Sequence, residues 1–174
     1  PRWLENLQIA LYSEPKIGAV SCITSNCSNW QQIDVKYETY DELMDFADKM
    51  NHSNPELWEV RPKLVGFCYL IKNEAYKIVG VLDERYSPGN YEDNDYSLKL
   101  IMAGYKLLVC RDTFIHHYGS GSFGEHATQE EFNEKIRNYN KLLKKNLDIF
   151  LDTWHVTEKY DDLHNVVLDV EAPR

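Results

Sequence analysis

Residues 3–24 read WLENLQIALYSEPKIGAVSCIT. Trp3, Leu4, Leu7, Ala10 and Leu11 recur at helical spacing, Pro15 stops the pattern, and Ile17–Thr24 is an apolar run that predicts a buried strand. This is a helix feeding a sheet. Downstream, residues 25–38 mix Ser, Asn, Gln and charge without a clear period and are expected to form a loop, with a short strand over 33–37. Thr39 followed by Glu42 is a capping box, and the apolar face of Leu43, Met44, Phe46, Ala47 and Met50 predicts a helix over 40–50. Residues 51–61 are irregular, with Pro55 and Pro62 as breakers, and Lys63–Lys72 (KLVGFCYLIK) reads as an apolar strand containing Gly66.

Asn73 can cap a short helix through Ile78 that Gly80 ends. A turn-rich loop covers 81–90, Tyr91–Asp95 opens a helix that stops at Gly104, and Tyr105–Arg111 is a strand, with Phe114–Tyr118 a second extended piece. A glycine-serine loop, 119–124, precedes a second capping box, Thr128 with Glu131, and a long helix on Phe132, Ile136, Tyr139, Leu143 and Leu147. An acidic tail from His155 carries a short apolar patch at Val166, Val167 and Leu168. Strands separated by helices imply an α/β fold with a mostly parallel or mixed sheet flanked by helices, followed by a C-terminal helical extension.

The chain has 174 residues, 43% of them hydrophobic, with 22 aromatics among them: 4 Trp, 12 Tyr and 6 Phe. That composition excludes disorder over most of its length and suits a single core. A net charge of −9 without a basic stripe argues against nucleic acid, whose affinity rests on Lys and Arg displacing counterions. No apolar run approaches the roughly 20 residues that span a bilayer, so a soluble, intracellular protein is expected. Cys22, Cys27, Cys68 and Cys110 are too scattered for a disulfide framework or a paired zinc motif, and read as reduced core thiols. The start at Pro1, directly into a helix, reads as a piece of something longer.

Chemistry concentrates at residues 83–95, where Asp83, Glu84, Glu92, Asp93 and Asp95 face a single base, Arg85. A solvated acidic helix start is the plain reading. The functional one makes Asp93 or Glu92 a general base aimed at a hydroxyl, which is nearly un-ionised at neutral pH and needs such a partner. Asp93-Asn94-Asp95 is also D-x-D, but residues two apart on a helix diverge by about 200°, so the pair is not expected to chelate one ion. His116 and His117 follow an apolar strand and point to opposite faces, so only one can enter a given site. Neutral imidazole suits Mn or Zn better than Mg. Gly119–Gly124 matches G-x-G-x-x-G but lacks the strand–helix–strand setting of a dinucleotide site.

Several blocks keep a fixed order: Gly66–Gly80, Leu82–Tyr86, Tyr91–Leu98, Ala103-Gly-Tyr105, His117-Tyr-Gly-Ser120 and Ser122-Phe123. In that order and spacing the chain resembles family-2 glycosyltransferases of the GT-A fold, closest to bacterial rhamnosyltransferase-like members. Trp3-Leu4, Ile17–Val20 and Asn26 also fit, so the likeness covers residues 1–125, while 126–174, the C-terminal helix and acidic tail, add little.

The resemblance implies inverting transfer of a sugar from a nucleotide-sugar donor to an acceptor hydroxyl, on a carbohydrate or lipid-linked acceptor, in polysaccharide or glycoconjugate synthesis. It implies Asp93 as the base, Glu92 as its neighbour and second choice, and His117 as the metal or diphosphate contact. Gly66 and Phe67 would line the sugar and acceptor side, with Asp95 and Ser120 as further substrate contacts. A divalent cation, Mn or Mg, would be the cofactor, and the location the cytoplasm or the inner membrane face. Residues 1–125 would be the acceptor-side part of such a domain, with the nucleotide-binding half upstream of Pro1, inactive alone and able to pair with copies of itself through an open sheet edge. The alternatives are a non-catalytic carbohydrate-binding or assembly module using exposed aromatics, and a dinucleotide enzyme using the Gly119 loop.

Overall fold

The computed structural model describes residues 1–27, 30–119, 128–160 and 166–170. They fall into two compact units, Pro1–Leu82 with Asp93–Ser122, and Asp83–Glu92 with Phe123–Arg174.

The first unit is α/β. Its elements are α1 (Trp3–Tyr12), β1 (Ile17–Ile23), α2 (Tyr40–Met50), β2 (Trp58–Val60), β3 (Leu70–Ile71), α3 (Asn73–Val79), α4 (Glu92–Met102, all but its first residue) and β4 (Lys106–Phe114). The sheet is mixed, in the order β2-β4-β1-β3, with β1 and β4 parallel and both outer strands antiparallel to their neighbours. Period-two alternation sorts β1 and β4 onto two faces. Ala19, Ile23, Leu107 and Val109 pack with Ala47 of α2, Ala75 of α3 and Tyr96 and Leu100 of α4. Val20, Cys22, Leu108 and Cys110 pack on the other side with Leu7, Ala10 and Leu11 of α1. Every residue of β1 is buried, which is why its sequence reads as a continuous apolar run.

The helix-to-strand opening, the α2 capping box and the α4 start at Glu92 form as the sequence predicts. The expected strand over Lys63–Lys72 does not. Only Leu70 and Ile71 pair with β1, because the preceding N–H groups bond to side chains: Leu64 N–H donates to Ser97 Oγ at 3.2 Å, Val65 N–H to Gln31 Oε1 at 2.8 Å and Gly66 N–H to Asp93 Oδ2 at 3.0 Å. Residues 33–37 form no strand; a single parallel bridge joins Thr24 to Gln32. Conversely, β2 arises inside the stretch read as irregular. Phe114 ends β4 rather than starting a new piece, the pairing jumping from Cys22↔Cys110 to Ile23↔Phe114 across an irregularity.

In the second unit α5 (Gln129–Trp154) starts at the expected Thr128–Glu131 box and is followed by an antiparallel hairpin of β5 (Val156–Tyr160) and β6 (Val166–Val170), where the sequence suggested only an acidic tail. Asn146 clamps the 84–90 loop, its Nδ2 lying 2.7–3.0 Å from the carbonyls of Tyr86, Gly89 and Asn90.

The two capping boxes make a pH prediction. Backbone N–H groups of Glu38 and Thr39 hold the Glu42 carboxyl below its ordinary value, and the Thr128 N–H does the same for Glu131. A carboxyl depressed by folding stabilises the folded state above the unfolded value, and that contribution is lost as pH falls through the lower folded value. Protection factors of the Glu38, Thr39 and Thr128 amides, which donate to these two carboxylates, should therefore fall on acidification before those of the core amides of β1 and β4 do. Simultaneous exchange of caps and core would overturn it.

Candidate functional site

The first unit gathers four of the sequence-predicted residues. Asp93 stands in the first turn of α4, and its carboxylate is held from two sides: Oδ2 accepts the Gly66 N–H at 3.0 Å and Oδ1 accepts the Asn94 N–H at 2.8 Å. Phe67, the next residue after Gly66, stacks on His117, with ring centroids 5.4 Å apart and planes 25° from parallel. One dipeptide thus ties the carboxylate to the imidazole. Asp93 remains half-buried.

The histidine's proton is placed by its partner. Nδ1 of His117 lies 2.7 Å from the carbonyl oxygen of Asn26, and a carbonyl only accepts, so Nδ1 carries a hydrogen, and in the neutral imidazole Nε2 is the nitrogen with the free lone pair. A backbone carbonyl behind one ring nitrogen is the usual support of a histidine that ligates through the other. Gly119 lets the chain pass here: it has φ +72°, and a Cβ at that position would collide with the Asn26 side chain.

His116 takes the other face. Its Nδ1 is shared between Ser25 Oγ, at 3.0 Å, and a short contact with the Tyr37 hydroxyl, and its ring packs edge-on against Tyr37 and Tyr118. It is a packing residue, and the pair divides as period two requires.

The remaining predicted residues lie elsewhere. The Asp95 carboxylate is fully buried and paired with Lys99 Nζ at 2.6 Å, one turn along the helix. That interior ion pair is not a surface offered to a substrate, and it separates Asp95 from Asp93 as the helical geometry demands. Glu92 opens α4 half-buried and belongs to the second unit. Ser120, and the G-x-G-x-x-G stretch beyond Gly119, lie outside the described residues.

Two residues that the sequence did not single out hold the site together. Gln31, 1% exposed, donates through Nε2 to Ser21 Oγ and the Cys22 carbonyl, at 2.7 and 2.9 Å, and accepts the Val65 N–H. Ser97 receives the Leu64 N–H and contacts the Tyr69 hydroxyl at 2.9 Å. Burial pushes the Tyr69 phenol up, and the Asp93 charge adds to the effect, so it stays protonated and able to donate. Ser97 is four residues after Asp93, on the same helix face; that spacing was a readable signal. Gln31 had none.

Among the described residues no group of three or more His, Cys, Asp or Glu side chains could hold a metal ion. No helix among the described residues is long and apolar enough to cross a membrane.

In comparisons with protein-family models, curated proteins and solved structures, nothing matches this chain.

Proposed function

We propose that this chain carries the acceptor-side part of a GT-A glycosyltransferase and serves inverting transfer of a sugar from a nucleotide-sugar donor to an acceptor hydroxyl. One observation supports this reading above the others: a half-buried carboxylate at a helix start, fixed by the Gly66 N–H, one residue from an aromatic–histidine stack whose Nδ1 is held by a backbone carbonyl.

In this mechanism Asp93 takes the proton of the acceptor hydroxyl as its oxygen attacks the anomeric carbon. The bond from that carbon to the diphosphate breaks on the opposite side, so the configuration inverts. The two N–H groups on Asp93 aim the carboxylate and prevent its rotation, which shortens the search for a productive geometry. Phe67 gives the sugar an apolar face, and its stack on His117 keeps the imidazole plane fixed. A divalent cation, when bound, would neutralise charge on the departing diphosphate, and His117 Nε2 would be its ligand from this chain.

The test uses the full-length protein with manganese, a panel of nucleotide sugars and oligosaccharide acceptors, and reads release of nucleoside diphosphate. Release that requires donor and acceptor together is the expected result. Carbohydrate binding with no turnover, and no binding of manganese or nucleoside diphosphate, would instead establish the non-catalytic carbohydrate-binding module.

A further inference from the structure

Three of the four cysteines gather in one cluster on the α1 side of the sheet, Cys22 and Cys110 buried in it and Cys68 packed against it. The β1/β4 register pairs Cys22 directly with Cys110. On the other side of β1, β3 pairs as Ala19↔Ile71 and Val20↔Leu70, and Cys68 lies two residues before that pairing begins. The Cys22 thiol donates to the Cys68 sulfur. Residues opposite one another share a sheet face, and all three thiols pack into the cluster under α1.

The three thiols differ in access. Cys22 and Cys110 are both 0% exposed, whereas Cys68 is half-buried, on the segment that leads out from Gly66 and Phe67.

We propose that Cys68 and Cys22 form a peroxide-sensitive thiol pair: Cys68 is the attacking thiolate, and Cys22 is the resolving thiol that converts its oxidised form into a disulfide. The sulfur of Cys68 attacks one peroxide oxygen, the O–O bond breaks, and water leaves with the proton, giving a sulfenic acid. The Cys22 sulfur then attacks that sulfur, a second water departs, and the S–S bond forms. The two thiols give up two electrons and two protons, and hydrogen peroxide becomes two waters.

The hydrogen bond explains the assignment of roles. Donation from Cys22 holds the Cys68 thiol below its ordinary value and raises Cys22 well above its own, while burial raises Cys110. The thiolate is the reactive form, so the accessible member of the cluster is also the more readily ionised. Closing the bridge fixes residue 68 to β1 and changes the path of Gly66 and Phe67. The inference concerns the thiols alone and does not depend on sugar transfer.

The experiment treats the reduced full-length protein with hydrogen peroxide, alkylates the remaining thiols, and maps linked peptides by mass spectrometry. A Cys22–Cys68 link that dithiothreitol reverses, with Cys110 and Cys27 alkylated, is expected. In Cys22→Ser, dimedone should trap Cys68 as its sulfenic acid, because the resolving thiol is gone. Should that core variant fail to fold, Cys68→Ser, at the more exposed position, must abolish the link. A Cys22–Cys110 link would overturn the proposal. So would oxidation of Cys27 to completion with no Cys22–Cys68 link.

Discussion

Asp93→Asn is expected to lower sugar transfer by the full-length protein by about 10²–10⁴-fold, the usual worth of a positioned general base. The substitution preserves size and shape but removes basicity. Asparagine can present its one oxygen either to the Gly66 N–H or to the Asn94 N–H, so a single hydrogen bond is lost, at about 1 kcal/mol. The variant should therefore fold, bind acceptor with little change, and lose turnover. In kinetic terms kcat falls while KM stays near its original value, because the missing interaction belongs to the transition state. Near-native turnover in a folded Asp93→Asn protein would remove Asp93 from the chemistry. Restoration of activity by an external base such as azide or formate would strengthen the assignment, since a purely structural role cannot be rescued that way.

The largest stability effect is expected at Asp112. Its side chain is 1% exposed on β4 and has no cation partnered with it among the described residues; instead Oδ2 accepts the Trp58 indole N–H and the Asn54 N–H, both at 2.7 Å, and Oδ1 accepts the Thr113 hydroxyl at 3.0 Å. Those bonds attach β2 and the turn before it to the centre of the sheet. Asp112→Ala strands two N–H donors in a partly buried site, each costing about 1–3 kcal/mol, so the expected loss is roughly 3 kcal/mol or more. Asp112→Asn, which retains one acceptor, should lose less. Urea unfolding measures the difference, with an unchanged slope if only stability is affected. A loss below about 1 kcal/mol for the alanine variant would show that water serves the two donors as well as the carboxylate does.

Sequence and structure agree where local chemistry decides the conformation. Thr39 and Glu42 carry their own instructions, because a capping box is closed by residues three apart, and Trp3–Thr24 is readable for the same reason. Agreement fails at Lys63–Lys72. Its apolar content is that of a strand, but the N–H groups of Leu64, Val65 and Gly66 are claimed by side chains distant in sequence. Hydrophobicity reports burial, not which acceptor an amide will find. β2 escaped notice because three residues beside Pro55 and Pro62 are too few to show a period. At the candidate site the resemblance of ordered blocks named Asp93, His117, Gly66 and Phe67, which the fold brings together; Ser97 was not singled out, although it follows Asp93 by one helical turn. Gln31 was not, since it sits in an aperiodic loop and acquires its function only after that loop closes onto residue 65.

The parallel pairing at the centre of the sheet has a consequence for how the chain acquires its structure. β1 is bonded along its length to β4, nearly ninety residues later in sequence. A strand buried on every side cannot be stable until that partner has been synthesised, so α1 and β1 must wait for residue 114. High contact order slows folding, and during the delay the apolar run Ile17–Ile23 is exposed to other chains. Emerging from a ribosome, the first unit should gain protease resistance in one late step rather than in stages. That waiting interval makes IGAVSCI the segment most dependent on chaperone protection.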